Sequence, residues 1–364
     1  MNDSSPGSRR WLPLVGWVVV AIVLMVLPQG LSEYWTGAIT KWMPFAIGAL
    51  GLNLLTGYNG QISVGHGALY GVGAYTGALV INNWGWPFPL AVLAAGVVCF
   101  GVGVIVGLPA LRIKGLYLAL VTLSVATLFP QLLEQWSSFT GGSSGLSVTS
   151  DQLYRGRIRP RPFRFEAPEW SGLANDQWTY YLFLAITVVC FVLVRNIVAS
   201  RPGRAMVAIR DNEVAAEVSG VNVAAVKVFV FGISSALAGV GGALLAVYDA
   251  RVSSGSFTLA VSLYFLVAVV IGGPASIVGP VLGTIAYKVF DELIKPELGE
   301  SWQPASPLVL GVLLVVLMLV APGGMVGLSR QLGARLSAGR RLAVAGSSDG
   351  IEAQPDSARQ QEDT

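Results

Sequence analysis

Charge is scarce in this chain. Asp, Glu, Lys and Arg make up only 12% of its 364 residues, against about a quarter in a soluble domain. So few charges cannot cover a globular surface with water-facing groups, which excludes an ordinary soluble fold. Histidine occurs once, as His66, and cysteine twice, as Cys99 and Cys190, both inside apolar runs. That usage excludes a disulfide framework and a thiolate metal centre, and no metal site is expected. No G-x-x-x-x-G-K-[ST] phosphate loop occurs, so the chain has no ATP site of its own. Catalytic residues are not expected either: one histidine with peripheral carboxylates does not make an enzyme's constellation. A net charge of +3, with arginines clustered at segment ends, leaves no nucleic-acid footprint.

What the chain has in quantity is apolar sequence, 54% of residues, with a mean hydropathy of +0.65. A membrane-spanning helix needs about 20 mostly apolar residues. Candidate segments run near 11–28, 36–56, 64–83, 88–110, 115–133, 178–195, 224–248, 258–272, 276–293 and 306–321. The expected fold is all-α: a polytopic transmembrane helical bundle of about ten segments, some short or broken, with a short helix in a cytoplasmic connection. The first segment follows Ser8-Arg9-Arg10 and lacks a clean small-x-small cleavage site, so it reads as an uncleaved anchor.

Lys and Arg near segment ends mark the cytoplasmic side. Arg9 and Arg10, Arg112 and Lys114, then Arg195, Arg201, Arg204 and Arg210, and finally Arg330, Arg335, Arg340 and Arg341 all fall inside if both termini are cytoplasmic. That requires residues 258–293 to cross twice, with breaks at Gly272-Gly273-Pro274 and Gly279-Pro280. The organisation expected is a cytoplasmic N-terminus over 1–10, a transmembrane domain over 11–328, and a largely disordered cytoplasmic tail over 329–364, whose later part is polar and low in apolar residues. Residues 134–177 form an extracytoplasmic loop despite Arg155, Arg157, Arg159, Arg161 and Arg164, because charge bias acts mainly in short loops close to helix ends.

Glu33, Lys41, Glu134, Asp249, Arg251, Asp291 and Glu292 fall at or near segment ends, and the segment centres hold essentially no charge. A proton-coupled secondary carrier would bury a carboxylate there, so energy is expected from outside the membrane domain. Glycine is abundant, at 44 residues. Gly67 with Gly71, Gly73 with Gly77, and the stripe Ser235, Gly239 and Ala243 have the spacing of close helix contacts, whether fixed or sliding.

Two stretches stand apart. Residues 200–222 form the longest cytoplasmic connection, where Pro202 and Gly220 bracket an expected helix of about sixteen residues. Ala205, Ile209, Val214 and Val218 can share one side, with Arg204, Arg210, Glu213 and Glu217 on the rest. Such a helix suits docking of a cytoplasmic partner or simple rest on the membrane surface. The second stretch, GYNGQISVGH over 57–66, puts polar groups between two apolar runs. Gly57, Tyr58, Gly60, Gln61, Ser63, His66 and the nearby Tyr75 are candidates to line a pathway at a helix break. The alternatives are a tight turn in which Ser63 caps the next helix, and a packing role for His66.

The run from Gly51-Leu52-Asn53 to His66, Gly71-Val72-Gly73-Ala74-Tyr75-Thr76, Thr140-Gly141-Gly142, Gly203-Arg204-Ala205 to Gly220-Val221-Asn222, and Gly279-Pro280-Val281-Leu282-Gly283 resemble the permease subunits of ATP-binding-cassette importers for branched-chain amino acids, LivM-type in particular. The resemblance covers about residues 40 to 328, closing on Ala321-Pro322-Gly323-Gly324. It implies half of a translocation pathway in the bacterial plasma (inner) membrane. The implied partners are a homologous second permease, two cytoplasmic ATP-binding subunits that use the ATP, and an extracytoplasmic substrate-binding protein, all working in a lipid bilayer. No cofactor is implied on this chain itself. It also makes 200–222 the ATPase-coupling loop, through Arg204, Ala205, Arg210, Asp211, Glu213, Ala215, Ala216, Glu217 and Gly220, although the usual Ile-x-Leu-Pro ending is missing. Sister permeases for urea or short amides share much of this framework. Cysteine labelling checks the topology: Ser143→Cys is expected to react from outside and Ser347→Cys from the cytoplasm, and exclusively cytoplasmic labelling of Ser143→Cys would overturn it.

Overall fold

The computed structural model describes residues 22–109, 116–154, 157–163, 165–294 and 323–328, with isolated positions at 19, 308, 311, 312, 315, 316 and 319. The expected segment 306–321, most of 11–28, the N-terminus over 1–10 and the tail over 329–364 lie outside the described residues. Within them the chain is mostly helical. The long helices are α1 (Glu33–Leu52), α2 (His66–Trp84), α3 (Phe88–Gly107), α4 (Leu116–Gln135) and α5 (Asn175–Ala199). After two short helices, α6 (Arg201–Asp211) and α7 (Glu213–Val218), come α8 (Val223–Asp249), α9 (Leu259–Gly272) and α10 (Gly279–Val289). Among the described residues, six helices are long and apolar enough to cross a bilayer: Glu33–Tyr58, Phe88–Gly107, Tyr117–Gln135, Asn175–Ala199, Val223–Asp249 and Ser254–Gly272. The expected count of about ten is therefore not reached there. Helix α2 is diluted by glycine and asparagine, and α10 spans only 11 residues before a π turn, Phe290–Ile294.

The fold is not purely α. In the region expected to be extracytoplasmic, β2 (Thr149–Tyr154) pairs antiparallel with β3 (Arg157–Pro162), and β1 (Leu146–Ser147) pairs with β4 (Arg251–Val252). Exposed strand edges are confined to water, where unpaired backbone groups can still be solvated. Local signals explain the element ends. Asn222 caps α8 by accepting from Ala225 N–H at 3.0 Å, Pro89 sits in the first turn of α3, and α2 stops at Gly85 in the left-handed conformation, φ 61°.

Helix α8 is the centre of the bundle, packed against α1, α2 and α3. Its small residues make this possible. A side-chain carbon at Gly239 would stand 2.6 Å from Cys99 Cβ of α3, and one at Gly73 of α2 would overlap the Gly239 backbone. Gly77 meets Ala243, while Gly67 meets Ser262 of α9 and Gly71 meets Phe129 and Phe257, so the two glycine pairs serve different neighbours. Two lysines near segment ends, Lys227 close to the start of α8 and Lys288 in the last turn of α10, are nevertheless buried. Each is neutralised by a carboxylate: Glu213 at 2.8 Å and Glu292 at 3.7 Å. Lys288 also lies 4.1 Å above the Phe45 ring of α1, and Glu292 accepts from Trp42 Nε1 at 3.0 Å. Lys41 pairs with Asp249 at 3.0 Å.

Replacement of Gly239 by Val is expected to lower the melting point of the detergent-solubilised protein, by an amount equivalent to about 1–3 kcal/mol of overpacking. Gly101→Ala, where nothing lies within 4 Å of the added carbon, is the control and is expected to stay within about 0.5 kcal/mol.

Candidate functional site: two helix breaks and the coupling loop

Helix α1 does not end cleanly. It widens into a π turn over Asn53–Tyr58, buried except at Thr56. Gln61 N–H reaches back to Leu55 O at 3.1 Å, and Thr56 Oγ1 donates to Gln61 O at 3.0 Å. Gly60 takes φ +72°, a conformation natural to glycine. The chain then runs to α2, whose N-cap is Gly65 with no side-chain bond. The capping-turn reading of Ser63 is thereby overturned: its Oγ is fully buried and has no partner. Val64 N–H is instead held by Thr122 Oγ1 of α4, at 3.0 Å.

His66 is fully buried, its Nε2 lies 3.0 Å from Gly48 O, and its ring meets Phe265 edge-on. This geometry is that of a packing histidine. Tyr75 is buried beside Phe257, and Tyr58 is buried at the end of the π turn. Asn59 and Gln61 differ: both are buried, yet they border a cavity of about 260 Å3 shared with Ile209, Arg210, Glu213 and Lys227. Among the described residues, both amide atoms of Asn59, Gln61 Oε1, Ser63 Oγ, His66 Nδ1 and the Tyr70 and Tyr75 hydroxyls have no hydrogen-bond partner. Each such group costs about 1–3 kcal/mol, and native proteins keep few of them. Four of these residues fall within eight positions, Asn59 to His66.

A second break follows α9. Gly273 has φ 110° and Ala275 φ 57°, Pro274 is exposed, and α10 restarts at Gly279 with Pro280 in its first turn. Gly272 and Gly279 lie in direct backbone contact. Asn53, which sequence reasoning missed, joins the two breaks. Its Nδ2 donates to Ser276 O at 2.8 Å and its Oδ1 accepts from Ala275 N–H at 3.1 Å. The only sequence signal was an asparagine inside an apolar run.

The connection over residues 200–222, expected to be a coupling loop with one helix, folds as two helices. Asn212 leaves the helical conformation, φ −158° and ψ 108°, and its side chain accepts from Ala215 N–H at 3.0 Å to start α7. Asparagine competes with the helix by bonding the backbone itself, so the run cannot continue through it. The break also reassigns the faces. Gly203, Met206, Ile209 and Ala216 are the buried positions, whereas Val214 and Val218 point outward at 66% and 85% exposure. Arg204, Asp211, Ala215 and Glu217 are exposed, Ala205 is half-buried, and Glu213 is held against Lys227. Gly220 takes φ +84° in open space. Arg210 turns back toward the first break, donating to Gly57 O at 3.1 Å.

Comparison with known proteins follows this geometry. A family model described as the permease component of the branched-chain amino acid transport system matches residues 34–321. The high-affinity branched-chain amino acid transport permease LivM of Escherichia coli strain K12 is 32% identical over 322 residues, covering 86% of this chain and 75% of the relative. LivH of the same organism is 26% identical over 304 residues, covering 79% and 93%. A probable LivM of Methanocaldococcus jannaschii is 24% identical over 248 residues, covering 65% and 67%. No solved structure gives a significant match. A model spanning most of the chain, both helix breaks and the coupling loop, together with the LivM identity, shows that this multi-pass membrane protein belongs to the branched-chain amino acid transport permease family.

Proposed function

We propose that the chain is one of two permease subunits of an ATP-binding-cassette importer for branched-chain amino acids in a bacterial plasma membrane. The observation that carries this is the α6–α7 pair: two short helices braced on a broken membrane helix, one of them presenting Val214 and Val218 outward. An exposed apolar pair beside Glu217 suits the groove of a cytoplasmic ATP-binding subunit. The second permease is a LivH-like homologue, since relatives with both names match this chain. An extracytoplasmic binding protein delivers the substrate, and ATP is used by the partners. On the pathway, Asn59 and Gln61 are the polar side chains of the first break that border open space. His66 and Tyr75 support it from within the packed core.

Uptake by proteoliposomes that carry the chain with its permease, ATPase and binding-protein partners tests the reading. Labelled leucine is expected to accumulate with ATP, and labelled urea and acetamide are not; the reverse preference would overturn it.

The outward face of α7 yields a sharper expectation. Val218→Asp removes an apolar contact worth about 1.5–3 kcal/mol when buried. It is expected to weaken co-purification of the ATP-binding subunits at least about tenfold while leaving membrane insertion normal. Gly220→Val strains the left-handed turn that ends the loop and is expected to lower ATP hydrolysis and uptake together. Full co-purification and full coupled activity in both variants would leave α7 a mere surface element.

A further inference from the structure

Where the coupling loop faces the first helix break, one side chain, Arg210, bonds directly to its backbone. Arg210 Nη1 donates to Gly57 O at 3.1 Å. The stem of Arg210 lies over Gly60, where a side-chain carbon would come within 2.8 Å of its Cγ. Asp211 Oδ1 holds the other edge of the guanidinium, accepting from Nε at 3.2 Å and Nη2 at 3.0 Å. Gly57 lies in the last turn of the broken helix, where carbonyls lack donors from their own helix and the helix dipole favours a cation. Arg210 is thus a cap for the end of α1, supplied from α6. Its planar fork serves the carbonyl and the aspartate at once, which a lysine cannot do.

The contact does not stop at the first break. Asn53, the first residue of the π turn, uses both ends of its amide on the second break, at Ser276 O and Ala275 N–H. Gly57 also abuts Ala275, whose nitrogen would be 2.5 Å from an added side-chain carbon. Between them, Arg210 and Asn53 tie α6, the end of α1 and the start of α10 into one contiguous body. We infer that Arg210 and Asn53 are positioning residues of the transport cycle, through which displacement of α6 moves both helix breaks together. Arg210 then acts inward, on the membrane domain, rather than as a contact for the ATPase. This rests on the coupling role proposed for α6 and α7.

The test uses the complete importer in nanodiscs and proteoliposomes. Ile62→Cys reports on the break: it is 44% exposed, and the native Cys99 and Cys190 are buried. In the otherwise unaltered complex, ATP is expected to change the thiol-labelling rate at this position. Adding Arg210→Ala is expected to abolish that response and to raise the ATP consumed per leucine transported about tenfold, the effect of one charge-assisted hydrogen bond. Arg210→Lys, which keeps the charge, is expected to restore part of both, with the ATPases co-purifying throughout. Asn53→Asp, which keeps the acceptor for Ala275 but loses the donor to Ser276, is expected to keep the labelling response and lose uptake. An unchanged labelling response and an unchanged ATP-to-leucine ratio in Arg210→Ala would overturn the inference. So would dissociation of the ATPases in that variant, which would make Arg210 a docking contact. If leucine is not transported at all while the labelling pattern follows expectation, the substrate reading fails and the link between loop and breaks stands.

Discussion

A helix that stops inside an apolar environment leaves backbone carbonyls and amides that lipid cannot satisfy. The rest of this structure is arranged around that constraint. The end of α1 is met by Arg210 from the loop below it and by Gln61 folding back on Leu55. The link before α10 is met by Asn53, and Gly279 N–H at the helix start by Ser276 Oγ at 3.3 Å. The site exists because backbone groups freed at two breaks had to find partners. They found them in each other and in the connection over residues 200–222.

Polar groups that remain unmatched are informative for the same reason. Asn59, Gln61 and Ser63 lie beside carbonyls that are bonded, yet among the described residues Asn59 Nδ2 and Oδ1, Gln61 Oε1 and Ser63 Oγ have no partner. Elsewhere the bundle is thrifty. Ser234 donates to Gly51 O at 2.7 Å, Ser262 accepts from Gly67 N–H, and Tyr248 donates to Gly37 O, each joining two helices. These side-chain hydroxyls act as interhelical ties. Among the described residues, unmatched hydroxyls also occur at Tyr70, Tyr75 and Thr284, but the first break gathers four unmatched residues within eight positions.

Much of this was legible in the sequence. Long apolar runs located the helices, and Gly272, Gly273 and Pro274 followed by Gly279 and Pro280 coincide with the second break. The polar stretch 57–66 does lie between two helices. What escaped depends on partners far away in the chain. Asn53 is an unremarked residue in an apolar run until residues 275 and 276 arrive beside it. Lys227 and Lys288 are single charges diluted in apolar runs, so hydropathy does not announce their burial; their carboxylates come from Glu213 and from the next helical turn. The split at Asn212 was within reach, since asparagine before Glu213 is a start signal. Pro202 and Gly220 also bracket one continuous span, and in that span Val214 and Val218 share a side with Ala205 and Ile209 instead of turning outward. The strands of 146–162 and 251–252 are too short, and β1 and β4 too distant from each other, for alternation to announce them.

The buried Lys288 has a consequence for how the protein is made. Lys288 lies in the last turn of α10, where a cation suits the helix dipole, yet its side chain is buried rather than left at the surface. Its counter-charge Glu292 is carried on the following turn, and the Phe45 face that receives its ammonium belongs to α1. The counter-charge thus travels with α10, while the aromatic face that covers the ammonium comes from α1. More than two hundred residues separate the two, so this contact closes only when both halves of the chain are in place.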